Sequence, residues 1–160
     1  MEQTVYRTLA SVCLCGACML WAVGCGEPLT GDAPGSSITP RSQWQASGNL
    51  SDAAAAVDGR LSTAAKDGQG KPAHLLIDLR KPCVFNTVRI EHGEEPMGFP
   101  RRVALLTSLD GQTFSKVREV PGTRKVTNIV LVTPILARYV RLEVVEAGAQ
   151  PWSVGEVIIK

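Results

Sequence analysis

The chain has little of what catalytic and nucleic-acid-binding proteins commonly use. Among its 160 residues there are 2 histidines, aromatic residues make up 5%, and the formal net charge is +2. The small net charge, without any Lys/Arg-rich stripe, gives no electrostatic basis for binding nucleic acid. The histidines, His74 and His92, lie far apart in the sequence and lack metal-ligand spacing. Few aromatic rings remain for stacking against a ligand.

Sequence signatures of catalysis are also missing. There is no Gly-x-Ser-x-Gly elbow of the kind that presents a nucleophilic serine. There is no glycine-rich cofactor-binding fingerprint. Glu94 and Glu95 are adjacent, so they do not by themselves suggest an acid/base pair across a scissile bond. These absences favour a protein that is not an enzyme.

The N-terminal residues predict a secretion signal. Arg7 precedes an unbroken apolar run at residues 9–23, which is short for a membrane span. The run ends at Gly24-Cys25, which resembles the bacterial lipoprotein signal, in which a small residue precedes a cysteine that is cleaved and lipidated. We predict a signal peptide at residues 1–24 and lipidation of Cys25. A plain secretory signal and an uncleaved anchor are the alternatives.

A Gly-, Pro-, Ser- and Thr-rich segment predicts a flexible tether at residues 25–41. The expected location is the bacterial cell envelope, either lipid-anchored (at the outer membrane or facing the periplasm) or secreted. If Cys25 is lipidated, Cys83 is the one free thiol of the mature chain, so no internal disulfide can form. Because Cys83 stands between Pro82 and an apolar pair, we expect a buried, inert thiol.

Residues 42–160 have the pattern of an all-β domain. Segments with strand character follow one another at close spacing, and no long helix of period 3.6 is present. Ser51 is predicted to cap a short helical turn that reaches Val57, Lys81-Pro82 to form a turn, and Asp110-Gly111 to form a hairpin turn. The strand segments are residues 74–79, 84–91, 103–108, 113–120, 127–132, 138–145 and 154–160. This pattern predicts a β-sandwich or barrel.

One loop ahead of the strands holds oxygen-bearing groups at short spacing. Asp58 offers a carboxylate, Gly59 permits a sharp turn, and Thr63 offers a hydroxyl and a carbonyl. Such a loop can surround a hard cation such as calcium, which takes about 6–8 oxygen ligands. Asp-Gly is also an ordinary turn sequence, so a simple turn is the alternative.

Five short motifs in order resemble the discoidin (coagulation factor 5/8 type C) domains and the related family-32 carbohydrate-binding modules. They are Ala56-Val57-Asp58-Gly59 with Thr63, Leu75-Leu76-Ile77-Asp78-Leu79, Ser108-Leu109-Asp110-Gly111 with Phe114, Ala137-Arg138-Tyr139-Val140-Arg141, and Trp152-Ser153-Val154-Gly155-Glu156-Val157. The resemblance covers residues 42–160. It implies a galactose-binding-like fold, a jelly-roll β-sandwich of about eight antiparallel strands, in which Arg138 and Arg141 make structural hydrogen bonds. One departure is Ala65, where the family usually has tryptophan; Trp44 is a candidate to fill part of that volume.

The resemblance also implies a structural calcium site. Its ligands would be the side chains of Asp58, Thr63 and Glu156 and the carbonyl groups of Ala55, Arg60 and Gly155. Two carboxylates with a ring of neutral oxygens form a sensible calcium set. The alternative is that Asp58 caps a turn and Glu156 pairs with an arginine.

In this family the loops at one end of the sandwich bind ligands, and the fold itself does not name the ligand. A sugar site needs an aromatic ring for the apolar face of the sugar and polar groups for its hydroxyls. The loop at residues 92–102 offers both. The predicted ligand-binding residues are His92, Phe99, Arg101, Arg102 and Trp152. The alternatives are that Phe99 and Trp152 belong to the core and that the arginines and His92 are solvated surface residues.

These observations predict a non-catalytic carbohydrate-binding domain of a cell-envelope lipoprotein, stiffened by calcium. A protein- or phospholipid-binding domain is the alternative. For phospholipid, the apolar loop tip at residues 96–100 would enter the membrane. For protein, the sandwich would serve cell adhesion or dock a larger partner at the cell surface.

Overall fold

Eight β-strands and two short 3₁₀ helices form the parts of the chain that the structure, a computed structural model, describes: residues 37–67 and 72–160. The 3₁₀ helices are Arg41–Gln43 and Ala53–Val57. The strands are β1 (Gln45–Gly48), β2 (Ala65–Lys66), β3 (His74–Glu91), β4 (Arg102–Ser108), β5 (Ser115–Pro121), β6 (Val126–Glu146), β7 (Ser153–Val154) and β8 (Glu156–Ile159). The predicted signal peptide and Cys25 lie outside the described residues. Within those residues, no helix has the length and apolar character to cross a membrane.

All strand pairs are antiparallel, and together they form the predicted β-sandwich. Six strands are hydrogen-bonded in the order β1-β3-β6-β4-β5, with β8 also paired to β3, and β2 pairs with β7. The first part of β3 pairs with β1, and its last part pairs with β8. β6 pairs with β3 along most of its length and with β4 near its C-terminal end. The two long strands therefore connect all parts of the six-stranded arrangement.

The predicted turn at Lys81-Pro82 is wrong, because β3 continues through it as a bent strand. Between the pairs Asp78↔Tyr139 and Cys83↔Ala137, β3 advances further than β6, so its extra residues bulge. Arg80 has a φ of 72°, which lets the backbone bend without ending the strand. The segments at residues 127–132 and 138–145 are likewise parts of one strand, β6.

An arginine–carboxylate pair holds this bend. Nε and Nη2 of Arg138 donate hydrogen bonds to the two carboxylate oxygens of Asp78, each at 2.9 Å. The backbone N–H of Arg80 donates to Asp78 Oδ1 at 2.7 Å. The hydrogen bonds from Arg138, followed by that of Arg80, keep the pKa of Asp78 below its ordinary value. The structural role expected for Arg138 is confirmed.

The core follows from alternation along β3, where Leu75, Ile77 and Leu79 are fully buried. Trp44 is buried in the same apolar cluster as Ala65, the position at which the family usually has tryptophan. Cys83 is a buried free thiol, as expected. These side chains form one continuous hydrophobic interior, which is what a sandwich needs for its stability.

The predicted boundary of the domain at residue 42 is too late. Thr39 is 5% exposed, and its hydroxyl donates to the Leu79 carbonyl at 2.6 Å. The Trp44 indole N–H donates to the Thr39 carbonyl at 2.8 Å. Residues 37–41, assigned to the tether from their composition, therefore belong to the folded domain.

Two local predictions have different outcomes. The helical turn before Asp58 exists, but Ser51 does not cap it: its hydroxyl donates to the Lys66 carbonyl at 3.0 Å, and Asp52 occupies the cap position with a φ of 51°. The Asp110-Gly111 turn is confirmed. Asp110 Oδ1 accepts hydrogen bonds from the backbone N–H groups of Gln112 and Thr113, at 2.8 and 2.9 Å.

Candidate functional site

The Asp58 loop folds back on itself through short hydrogen bonds. Asp58 Oδ1 accepts from the Arg60 backbone N–H at 2.8 Å, and Oδ2 lies 2.8 Å from the Thr63 hydroxyl. The same hydroxyl lies 3.0 Å from the Arg60 carbonyl oxygen. Gly59 has a φ of 84°, which a residue with a side chain rarely adopts. The loop thus gathers a carboxylate, a hydroxyl and a carbonyl, all of which were predicted as cation ligands.

Glu156 at the start of β8 reaches the same loop. The residue is 3% exposed, and its Oε2 accepts a hydrogen bond from the Gly59 N–H at 2.8 Å. Burial raises the pKa of Glu156, and the nearby negative charge of Asp58 adds to this effect, while Arg41 and the Gly59 N–H oppose it. The sequence motifs that carry Asp58 and Glu156 therefore do meet in space.

Arg41 is the residue that sequence analysis left unnamed at this site. Its Nη1 lies 3.1 Å from Glu156 Oε1, which is the arginine pairing given as the alternative to calcium. The contact is an ion pair but not a hydrogen bond, and the buried Oε1 has no hydrogen-bond partner. Since Arg41 lies in the segment predicted to be tether, no local pattern marks it as a neighbour of Glu156.

The oxygen atoms gathered at this site fit the requirements of a calcium ion in part. The buried Oε1 of Glu156, which has no hydrogen bond, and the gathered oxygens of the Asp58 loop are the kind of ligands that a hard cation takes. Ala55 lies buried in the preceding 3₁₀ helix, and Gly155 adjoins Glu156. Among the described residues, no group of three or more acidic, histidine or cysteine side chains is placed to hold a metal. A cation here would therefore depend on two carboxylates and on neutral oxygens.

His92 is a core residue, so neither its prediction as a ligand-binding residue nor the alternative of a surface residue holds in this structure. The side chain is fully buried. Its Nδ1 lies 2.8 Å from the Ser153 carbonyl oxygen, and its Nε2 lies 3.1 Å from the Thr127 hydroxyl. Burial lowers the pKa of His92, which favours the neutral ring. Both nitrogens are used within the protein, and neither is free to bind a sugar.

The other four predicted ligand-binding residues do not converge on one point. Phe99 is half-buried, with its ring centroid 6.1 Å from that of His92. Arg101 pairs with Glu146 at 3.2 Å, and Arg102 pairs with Glu119 at 2.7 Å. Trp152 is 3% exposed and borders a separate hollow beside residues 147–151. The core alternatives for Phe99 and Trp152 describe the structure better.

Two adjoining clefts lie beside the loop at residues 93–96 and share Leu61 and Glu94. The larger, of about 410 Å³, includes Arg89, Pro96 and Lys125 in its lining. The smaller, of about 110 Å³, includes Lys66 and Glu95, which form an ion pair with each other. Leu61 is 52% exposed, so an apolar surface stands between charged groups. This arrangement combines apolar surface with charges of both signs.

Sequence analysis missed this cleft because its residues come from four separate segments. Gly93, with a φ of 62°, brings them together: a Cβ added there would lie 2.8 Å from the Leu61 carbonyl oxygen and 3.3 Å from the Gly155 Cα. The loop can therefore lie directly against Leu61 only if residue 93 is glycine. The glycine in His92-Gly93-Glu94 was the available signal.

This fold and loop arrangement define a known class of domain. The F5/8 type C domain family profile matches residues 37–157, and the chain belongs to that family. The match begins at residue 37, the first residue that the structure describes. This agrees with a domain that starts before the predicted boundary at residue 42. No curated protein matches the chain.

Several solved structures of similar fold come from Clostridium perfringens. CpGH89CBM32-5, in complex with GalNAc-β-1,3-galactose, has a TM-score of 0.69 and 18% identity, with 77% of this chain and 99% of that chain covered. The family 32 CBM of NanJ, in complex with galactose, has a TM-score of 0.67 and 18% identity, with coverage of 75% and 95%. CBM32-3 of a family 31 glycoside hydrolase has a TM-score of 0.63 and 20% identity, with coverage of 78% and 96%. These likenesses show the β-sandwich fold.

Proposed function

We propose that this protein is a non-catalytic carbohydrate-binding domain and that the cleft around Leu61 and Glu94 holds the sugar. The observation that carries the proposal is the exposed Leu61 flanked by Glu94 and basic side chains in a concave surface. Family membership supports it, and so do the galactose-containing complexes of the structural neighbours.

The chemistry of this cleft suits a sugar better than a charged or fully apolar ligand. Leu61 and Pro96 offer apolar surface to the C–H face of a pyranose ring. Glu94 accepts hydrogen bonds from hydroxyl groups, while Lys125 and Arg89 donate to them, and such charge-assisted bonds are stronger than neutral ones. A neutral, polar molecule carries no net charge, so neither the acidic nor the basic side chains of this cleft would repel it.

The apolar tip at residues 96–100 gives little support to a phospholipid partner. Met97 is exposed by 47%, but Phe99 is half-buried and Gly98 and Pro100 are buried. A membrane-inserting tip needs several exposed apolar side chains, and this one presents a single methionine.

We also propose a structural calcium at the Asp58 loop. The side chains of Asp58, Thr63 and Glu156 and the carbonyls of Ala55, Arg60 and Gly155 would hold it. The support for this assignment is the buried Glu156 Oε1, which has an ion contact with Arg41 but no hydrogen bond. Bound calcium would supply positive charge that ties the loop to β8. In the same proposal the domain is carried on a lipid-anchored protein of the bacterial cell envelope.

A glycan-array screen of the purified protein, run with calcium and with chelator, tests the proposed function. We expect binding to galactose- or GalNAc-terminated glycans. Leu61→Ser and Glu94→Gln should each weaken binding by about tenfold. That factor corresponds to the loss of roughly one apolar contact for Leu61→Ser and one charged hydrogen bond for Glu94→Gln. Leu109→Ser is the matched control, since Leu109 is 55% exposed and lies away from this cleft.

Two outcomes would count against the proposal. A folded protein that binds no glycan would point to a protein or lipid partner. Glycan binding that survives both cleft variants would move the site elsewhere on the sandwich.

A further inference from the structure

The two oxygens of the Glu156 carboxylate have different surroundings. Oε2 is held by the Gly59 N–H at 2.8 Å, within the loop. Oε1 is buried and lacks a hydrogen bond, and the charge that faces it is the Arg41 guanidinium at 3.1 Å. A positive group of the chain itself therefore stands against a carboxylate that would help to hold calcium.

We propose that Arg41 is an internal counter-ion that competes with calcium for Glu156, so that calcium binds only when the guanidinium moves away. This inference rests on the calcium site of the proposed function. The charges of Asp58 and Glu156 balance one divalent cation. A guanidinium held at 3.1 Å from the same carboxylate would add an uncompensated positive charge beside that ion, and like charges at this range repel strongly.

The guanidinium is able to leave without unfolding the segment that carries it. The Arg41 side chain is 41% exposed, so water can solvate it on release. The 3₁₀ helix itself is held by other bonds, among them the Trp44 N–H to the Arg41 carbonyl and the Trp44 indole to the Thr39 carbonyl. Only the side chain has to swing outward.

Gly59 leaves room for the Arg41 guanidinium in its present position. A Cβ at residue 59 would lie 3.3 Å from Arg41 Nη2, closer than ordinary van der Waals contact. The glycine therefore serves both the sharp turn of the loop and the approach of the arginine.

Calcium titration of the full chain by isothermal calorimetry tests this competition, after removal of bound metal with chelator. Arg41→Gln should bind calcium about tenfold more tightly than the wild type, a factor that corresponds to about 1.4 kcal/mol. Arg41→Lys keeps the charge and should bind within about threefold of the wild type. In chelator, Arg41→Gln should melt about 2–4 °C lower because Glu156 loses its counter-ion. Arg101→Gln, which removes an exposed ion pair with Glu146, is the control and should change neither value.

The outcomes separate the two proposals. Equal or weaker calcium affinity in Arg41→Gln would overturn the competition and leave the calcium site standing. Absence of calcium binding in every variant would overturn the calcium site and the competition together, while glycan binding would still be judged by the array.

Discussion

Two arginine–carboxylate contacts in this domain differ in how completely the carboxylate is satisfied. At the bend of β3, Asp78 receives two hydrogen bonds from Arg138 and one from the Arg80 backbone. At the Asp58 loop, Glu156 receives one hydrogen bond from Gly59 and an ion contact from Arg41, and one of its oxygens has no hydrogen bond. Glu156 is the more deeply buried of the two, yet it is the less well paired.

The difference indicates what each site does. The Asp78 carboxylate is held by two hydrogen bonds from Arg138 and one from the Arg80 backbone, and it serves to hold the bend of β3. A buried carboxylate oxygen without a hydrogen bond is costly by itself, and it calls for an explanation such as local strain, a water molecule or an ion. The Asp78 contact belongs to the fold, and the Glu156 contact is the one on which the proposed calcium site depends.

The largest effect should come from breaking the Asp78 contact. Asp78→Ala removes two charge-assisted hydrogen bonds and one backbone hydrogen bond at the bulge of β3. We expect the free energy of unfolding, measured in urea at neutral pH, to fall by about 2–3 kcal/mol. Glu146→Ala, which breaks the exposed contact with Arg101, is the control and should cost less than about 0.5 kcal/mol. Similar losses in the two variants would remove the distinction between a fold-holding and a surface pair.

A third carboxylate, Asp110, sharpens the comparison because backbone N–H groups and a serine hydroxyl hold it instead of an arginine. Hydrogen bonds from the N–H groups of Thr113 and Gln112, and then from the Ser108 hydroxyl, lower the pKa of Asp110 to about 2. Its contribution to stability is therefore present above its ordinary pKa of 3.8 and is lost as the pH falls through about 2.

Asp110→Asn should show this in acid unfolding curves. We expect the variant to be less stable than the wild type at pH 6, and the difference to disappear near pH 2. Between these limits, Asp110→Asn should take up fewer protons on unfolding than the wild type does, by up to about one proton. A stability gap that is constant across the whole pH range would mean that the carboxylate charge is not what the turn uses.

The smallest effect should come from Glu156→Gln in chelator. The substitution removes the ion contact with Arg41, but it also removes a buried charge, and these two changes oppose each other. We expect the free energy of unfolding to change by less than about 1 kcal/mol. With calcium added, the wild type should gain stability and the variant should not. A loss in chelator as large as that of Asp78→Ala would show that Glu156, too, mainly holds the fold.

The fold could be predicted from the sequence because its motifs are local and ordered. The Leu75–Leu79 alternation, the Asp110-Gly111 turn and the strand around Tyr139 each fix a short piece of β-structure, and their order indicates the family. The continuity of β3 through Pro82 could not be predicted, since Lys81-Pro82 has the composition of a turn. The pairing with β6 on both sides and the hydrogen bonds at Asp78 keep that segment in the strand, and both depend on tertiary contacts.

The site was predicted in part. Asp58, Thr63 and Glu156 meet as the motifs suggested, because the motifs lie at fixed places in the fold. His92 was misjudged, since a polar residue next to a glycine in a loop has the composition of a surface site; its burial depends on Ser153 and Thr127, which are distant in sequence. Arg41 and Leu61 carry no pattern of their own, and their roles depend entirely on tertiary contacts.

The bent course of β3 and β6 has a consequence for how this domain opens. Because each of these strands runs from one part of the sandwich to the other, no layer can detach while its neighbour stays intact. Backbone amides of Val88, Ile90, Ile129 and Leu142 should therefore exchange with solvent together, at a rate set by opening of the whole domain. The Asp58 loop, held by a few short bonds, is free to open far more often without disturbing that cooperative unit.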